Sequence, residues 1–172
     1  MVRTGLAAVL LLGTLVLAGC CSSRDFPPQC GDPSRESMSW RVIEGDVASV
    51  DAEGLLRLVN VAESFRKDAS LTPRTVRIAG VDLDLPAARV FLGSLVGKRV
   101  SVWLNPRSVE EESVAGVVYR GKRDINHTLL LRGLGRYVEP PGYTVSSYTG
   151  CVHRLAAEDA RAHRRGLWGR GD

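Results

Sequence analysis

Arg77 lies inside an apolar run, Val76-Arg77-Ile78-Ala79-Gly80-Val81, and Asp82 and Asp84 stand where that run ends, just ahead of Pro86. A guanidinium beside carboxylates has chemical uses. Its planar fork can hold two oxygens of a phosphate at once, and carboxylates hold hard cations such as calcium. The same residues also suit a plain strand whose rim carries a salt bridge from Arg77 to Asp82 or Asp84. Other candidate chemistry is thin. His127, His153 and His163 lack metal-ligand spacing, and none of Cys20, Cys21, Cys30 and Cys151 sits in a CxxC arrangement, so a zinc site is not indicated.

The elements that must position these groups are read from periodicity. Trp40 to Val50 alternates apolar and polar residues, as does Leu55 to Val61 after an Asp51-Ala52-Glu53-Gly54 turn. Ala62 to Arg74 is polar and reads as a loop. Thr75 to Val81, Lys98 to Leu104 and Val114 to Tyr119 are three further strands, the last followed by a tight turn at Arg120-Gly121-Lys122. Helical spacing appears in Pro86 to Val96, where the proline suits a first turn, in Ile125 to Leu134, and in Val152 to Arg165, which Gly166 stops. Five short strands with one helix inserted and two at the end predict an α+β fold, a five-stranded OB-type barrel with three helices.

The N-terminus obeys different rules. Met1-Val2-Arg3 is a short basic start, and the apolar run Leu6 to Leu17 is too short for the roughly 20 residues a membrane span needs. Basic start, apolar middle and small residues at the end make a signal peptide, residues 1–19. It closes Leu17-Ala18-Gly19-Cys20, which resembles the bacterial lipobox and implies a lipid on Cys20. The expected location is therefore outside the cytoplasm, anchored to a bacterial membrane rather than spanning it. Residues 20–39, rich in Ser, Pro, Gly and Asp, read as a flexible tether, and residues 40–170 as one domain. Export favours a disulfide. Cys30 with Cys151 would tie the tether to the last helix, although three cysteines beyond Cys20 leave the pairing open. A net charge of +4 is too small to argue for a polyanionic partner.

Five stretches in order carry a family resemblance. They are Val50-Asp51-Ala52-Glu53-Gly54-Leu55, Val76 to Asp82, Ala88-Arg89-Val90-Phe91-Leu92 with Gly97-Lys98-Arg99-Val100, Ile125-Asn126 with Leu130 to Gly135, and Leu155, Glu158, Ala160 with Gly166-Leu167-Trp168. Between Arg41 and Trp168 the chain resembles the staphylococcal nuclease (thermonuclease) family. That resemblance implies an OB-type barrel, calcium, and phosphodiester hydrolysis of DNA and RNA.

Carried over residue by residue, the resemblance makes Arg77 a phosphate clamp and Asp82 a calcium ligand, with Glu53 in the place of the other calcium aspartate. The water-handling glutamate falls at Leu85, leaving Asp84 as the nearby substitute base. The second arginine falls at Ser113, and Glu110, Glu111 and Glu112 precede it. Losing a charge stabiliser typically costs about 100- to 1000-fold in rate, and losing a positioned base about 100- to 10,000-fold. The expectation is a module that binds a nucleic acid or another envelope component, with phosphodiesterase activity weak or lost. Two alternatives stand beside it. One is an active calcium-dependent nuclease that recruits Asp84 together with Arg120 or Arg123. The other is a purely structural envelope module.

Overall fold

The computed structural model describes residues 27–32, 40–63, 74–104, 113–140 and 145–170. The signal peptide, Cys20, Cys21 and most of the tether lie outside the described residues, as do Glu110 to Glu112.

Alternation sets the first strand. In β1 (Arg41–Val50) the buried Ile43, Gly45 and Val47 face one way, and Val42, Glu44 and Asp46 the other. β1 pairs antiparallel with β2 (Leu56–Glu63) along one edge and with β5 (Arg99–Leu104) along the other. Two register shifts against β2, at Glu44/Asp46 and Val47/Ser49, let the long strand bend. β2 continues to β3 (Arg74–Ile78), and β5 to β6 (Ser113–Arg120). The barrel closes where β3 meets β6 in parallel, with Arg77 opposite Ala115 and Ile78 opposite Gly116. At Gly116 the other neighbour of β6, strand β5, leaves no room for a side chain. A Cβ on Gly116 would sit 2.7 Å from both the Trp103 carbonyl and a Leu104 methyl.

The interior is the set of inward residues of all five strands, among them Val47, Leu56, Leu58, Val76, Val100, Val102, Leu104 and Val118. Helix α1 (Leu85–Gly93) caps it with Ala88 and Leu92, and α2 (Ile125–Leu131) with Ile125 and Leu129. Helix α3 (Ser147–Ala162) packs on α2 through Ala156 and Ala157 against Leu130. The result is a closed five-stranded barrel with three helices, consistent with an OB-type α+β fold. No helix among the described residues is long and apolar enough to cross a membrane.

Some boundaries differ from the sequence reading. The stretch Thr75 to Val81 does not run straight; the chain turns at Ala79-Gly80 and resumes as β4 (Val81–Leu83). β4 pairs with β8 (Gly135–Tyr137) in a second, two-stranded sheet, and a short β7 (Arg123–Asp124) pairs with β6. Three-residue strands hold too few residues to display a period. Helix α3 starts five residues before Val152, because Ser146 accepts the Thr149 N–H at 3.0 Å and so caps a first turn of poor helix formers. Cys151 on α3 is joined by a disulfide to Cys30, in a 3-10 turn (Pro28–Cys30), with their Cα atoms 5.5 Å apart.

Candidate binding groove

The break at Ala79-Gly80 shapes the candidate site. β3 leads into it and β4 leads away, so the two strands and their turn form one wall of a groove of about 460 Å³. The opposite wall is Val138, Glu139 and Pro140, held down where the Val138 N–H donates to the Gly80 carbonyl at 3.1 Å. Arg77 and Asp82, both exposed, line this groove together.

The turn keeps its shape through a buried amide. Asn126, fully enclosed at the start of α2, donates from Nδ2 to the Ala79 carbonyl at 2.8 Å and accepts the Val118 N–H at 3.0 Å. Beside it the Ala79 N–H donates to the Gly116 carbonyl at 3.0 Å, extending the closing pair by one rung. These bonds satisfy backbone groups that the sheets cannot reach, which buried polar atoms require.

Charge in the groove is sparse and mixed. Arg77 has no ion-pair or hydrogen-bond partner among the described residues. Its neighbour across the parallel pair is Ala115, and Ser113 lies one alternation further back on the same outer face of β6. Among the described residues that line the groove it is the one guanidinium. Glu139 is occupied by the Tyr137 hydroxyl at 2.9 Å; burial, and then that hydrogen bond, push the tyrosine up to about 12. The remaining wall is apolar: Ile78, Ala79, Val81, Val138 and Pro140.

The other predicted site residues go elsewhere. Asp84, at the head of α1, lies 3.0 Å from the Arg170 guanidinium. The contact is ionic without hydrogen-bond alignment, since the same Oδ2 is enclosed and unbonded. Glu53 is exposed on the β1–β2 turn, which is shaped by Asp51 accepting the Glu53 and Leu55 N–H groups at 2.9 and 2.8 Å. That turn presses on β4 so closely that a Cβ on Gly54 would fall 2.5 Å from a Leu83 methyl. Neither Glu53 nor Asp84 lines the groove, and Leu85 is 37% exposed at the first turn of α1. Arg120 and Arg123 line a different concavity with Lys122.

Neither protein-family models nor curated proteins match this chain.

The groove's own groups must therefore indicate what it can hold. Calcium takes about 6–8 oxygen ligands, and among the described residues no three of His, Cys, Asp and Glu converge on a point. The described residues alone do not make a calcium site. A single guanidinium in a mainly apolar groove suits one anionic group on an otherwise apolar or stacked ligand.

Most of the basic residues near the C-terminus are engaged inside the domain. Arg165 meets Asp159 at 2.5 Å, Arg170 meets Asp84, and Arg136 and Arg161 each lie 5.5 Å from the Trp168 ring centre. Two polar features escaped the sequence reading: the Asn126 hub and a fully buried His153, whose Nε2 lies 2.8 Å from Asp124 Oδ2. Asp124 also caps α2 by accepting the His127 N–H at 2.9 Å. An aspartate directly ahead of a helical run was the available signal for that cap.

Proposed function

We propose that this chain is a membrane-anchored envelope protein, lipidated at Cys20, whose thermonuclease-like barrel binds a nucleic acid or another envelope component in the Arg77–Asp82 groove. Phosphodiester hydrolysis in it is weak or lost.

The observation that carries the binding reading is Arg77, exposed at the groove opposite Ala115 and, among the described lining residues, without a second cation. It leaves a charged contact point for an anionic group without the paired clamp that stabilises a phosphorane-like transition state. Asp84, the substitute base, is already paired with Arg170. Losses of this kind do not add simply, but either alone lowers turnover steeply.

The test is cleavage of single-stranded DNA by the purified full chain, with calcium and with chelator, beside an Arg77→Ala sample that controls for contaminating nuclease. Binding of the same labelled strand is followed by anisotropy. Binding without cleavage, weakened in Arg77→Ala, is the expected result. Calcium-dependent cleavage that vanishes in Arg77→Ala would make the protein a working nuclease. Neither cleavage nor binding would remove nucleic acid as the ligand, and retention of envelope components on the wild type but not on Arg77→Ala would then separate a partner-binding groove from a purely structural module.

A further inference from the structure

The hairpin that joins β6 to β7 closes on a pair of like charges. Arg120 and Arg123 stand directly opposite one another across the strands, with Gly121 and Lys122 as the loop between them. Directly opposed residues of an antiparallel pair set their Cβ atoms about 4.5–5.5 Å apart on one face, where like charges are destabilising. Elsewhere in the barrel the opposed charges are complementary: Arg99 faces Asp46, 3.7 Å away. Arg120, Lys122 and Arg123 are all exposed, and together they line one concavity of about 640 Å³. None of the three has an ion-pair partner among the described residues. The adjacent acid, Asp124, alternates to the other face of β7. There one of its oxygens accepts the His127 N–H at 2.9 Å and the other lies 2.8 Å from His153 Nε2. The hairpin therefore holds a repulsion that nothing described on its own face offsets.

We propose that this hairpin binds a phosphate monoester, with the Arg120 and Arg123 guanidiniums on its terminal oxygens and the Lys122 ammonium beside them. A guanidinium offers a planar fork to two phosphate oxygens, and two forks on one face can share the three terminal oxygens. A monoester phosphate carries about −1.5 to −2 charge at pH 7. It thus offsets the two opposed arginines, whereas the lower charge of a diester leaves part of their repulsion standing. Larger polyanions ask for more than charge. A single nucleic-acid strand needs ring faces on which its bases stack, and a bilayer needs an apolar face beside the cations. The described lining of the concavity supplies neither, and Tyr119 alternates away from Arg120. The site is also separate from the Arg77 groove, with which it shares no described lining residue.

The experiment titrates the full chain with glycerol phosphate by calorimetry, in chloride buffer of constant ionic strength. Saturable binding is expected. Its affinity should fall at least about tenfold in Arg120→Gln and in Arg123→Gln, and stay unchanged in Arg77→Ala. Absence of binding, undiminished binding in both hairpin variants, or loss in Arg77→Ala overturns the proposal. Inorganic phosphate should compete for the same site, since the terminal oxygens are the recognised group; failure to compete overturns that assignment.

Stability supplies a second readout, with a sign that a merely structural role would not give. In phosphate-free buffer of low ionic strength, Arg123→Glu turns the like-charged pair into a complementary one. Its urea midpoint should rise above the wild type while phosphate binding disappears, and the rise should shrink with salt. A lowered midpoint shows that the two arginines serve the hairpin's own fold, and overturns the proposal. So does a single-stranded oligonucleotide, or a phosphatidylglycerol vesicle, that binds through these three cations while glycerol phosphate does not.

Discussion

Asn126 reaches from the first turn of α2 to the carbonyl of Ala79, 47 positions earlier in the chain, at 2.8 Å. Its other end takes the Val118 N–H. One enclosed side chain therefore ties a helix to both strands that close the barrel, at the bend that forms the groove. Asn126→Ala should strand a donor on β6 and an acceptor at the bend. Each such orphan costs about 1–3 kcal/mol, so urea unfolding should show a loss of about 3 kcal/mol and a weaker groove ligand. A loss under 1 kcal/mol would mean that water replaces the amide.

Arg77 should behave in the opposite way. It is exposed and unpaired among the described residues, so Arg77→Ala should change stability by no more than about 0.5 kcal/mol while removing groove binding. Unfolding and binding measured on one sample separate the two effects. A large loss of stability would place Arg77 in the scaffold instead.

For Asp84 the partner is Arg170, itself 61% exposed. Partly exposed pairs contribute about 0–1 kcal/mol and weaken with salt. A double-mutant cycle with Asp84→Asn and Arg170→Ala should return a coupling in that range, smaller at high ionic strength. Asp84→Asn should leave any residual cleavage unchanged; a fall of more than tenfold would restore Asp84 as a base.

His127 supplies a pH dependence. Burial, with a smaller contribution from His153, lowers its pKa below the usual value, and Asp124 offsets this only in part. The folded protein thus keeps His127 neutral where the unfolded chain already binds a proton. Stability is full above about pH 6.5 and falls as pH drops below it, since the unfolded state takes up more protons. Urea midpoints at pH 7.5 and pH 5 should show that fall, and His127→Gln should lessen it. An unchanged slope in that variant assigns the effect to other groups.

The disulfide closes a separation of 121 residues around the whole barrel. Its reduction should lower stability by about 2–5 kcal/mol, the typical cost of losing a native disulfide, read as a shift in urea midpoint with and without dithiothreitol. No shift would show that the unfolded chain gains little freedom at that end.

The long strands and the cores of the helices were legible because period-two and helical patterns survive in Val42 to Val47, Val100 to Leu104 and Leu155 to Ala160. The β4–β8 sheet was not, because three residues carry no period. The start of α3 was hidden because its first turn, Ser147-Tyr148-Thr149-Gly150, is held by a cap rather than by propensity. At the site, the presence of Arg77 and Asp82 on one groove could be read from one continuous stretch. The fate of Asp84 could not, because Arg170 lies 86 positions away and nothing local announces it. His153 offered no sign of its burial, since its partner Asp124 sits on another element.

The parallel seam between β3 and β6 gives the molecule a timetable. Two pairings of the barrel join strands that do not follow one another along the chain, β1 with β5 and β3 with β6, and the barrel cannot close until residues 75–78 meet 113–116. Distant pairings form late, because closing the intervening loop costs entropy before any contact repays it. The groove draws one wall from β3 and β4, the other from residues after β8, and Ala115 from β6. Ligand competence should thus arrive late on refolding, and a ribosome-bound chain that has not yet exposed Pro140 has all five barrel strands but lacks one wall of its groove.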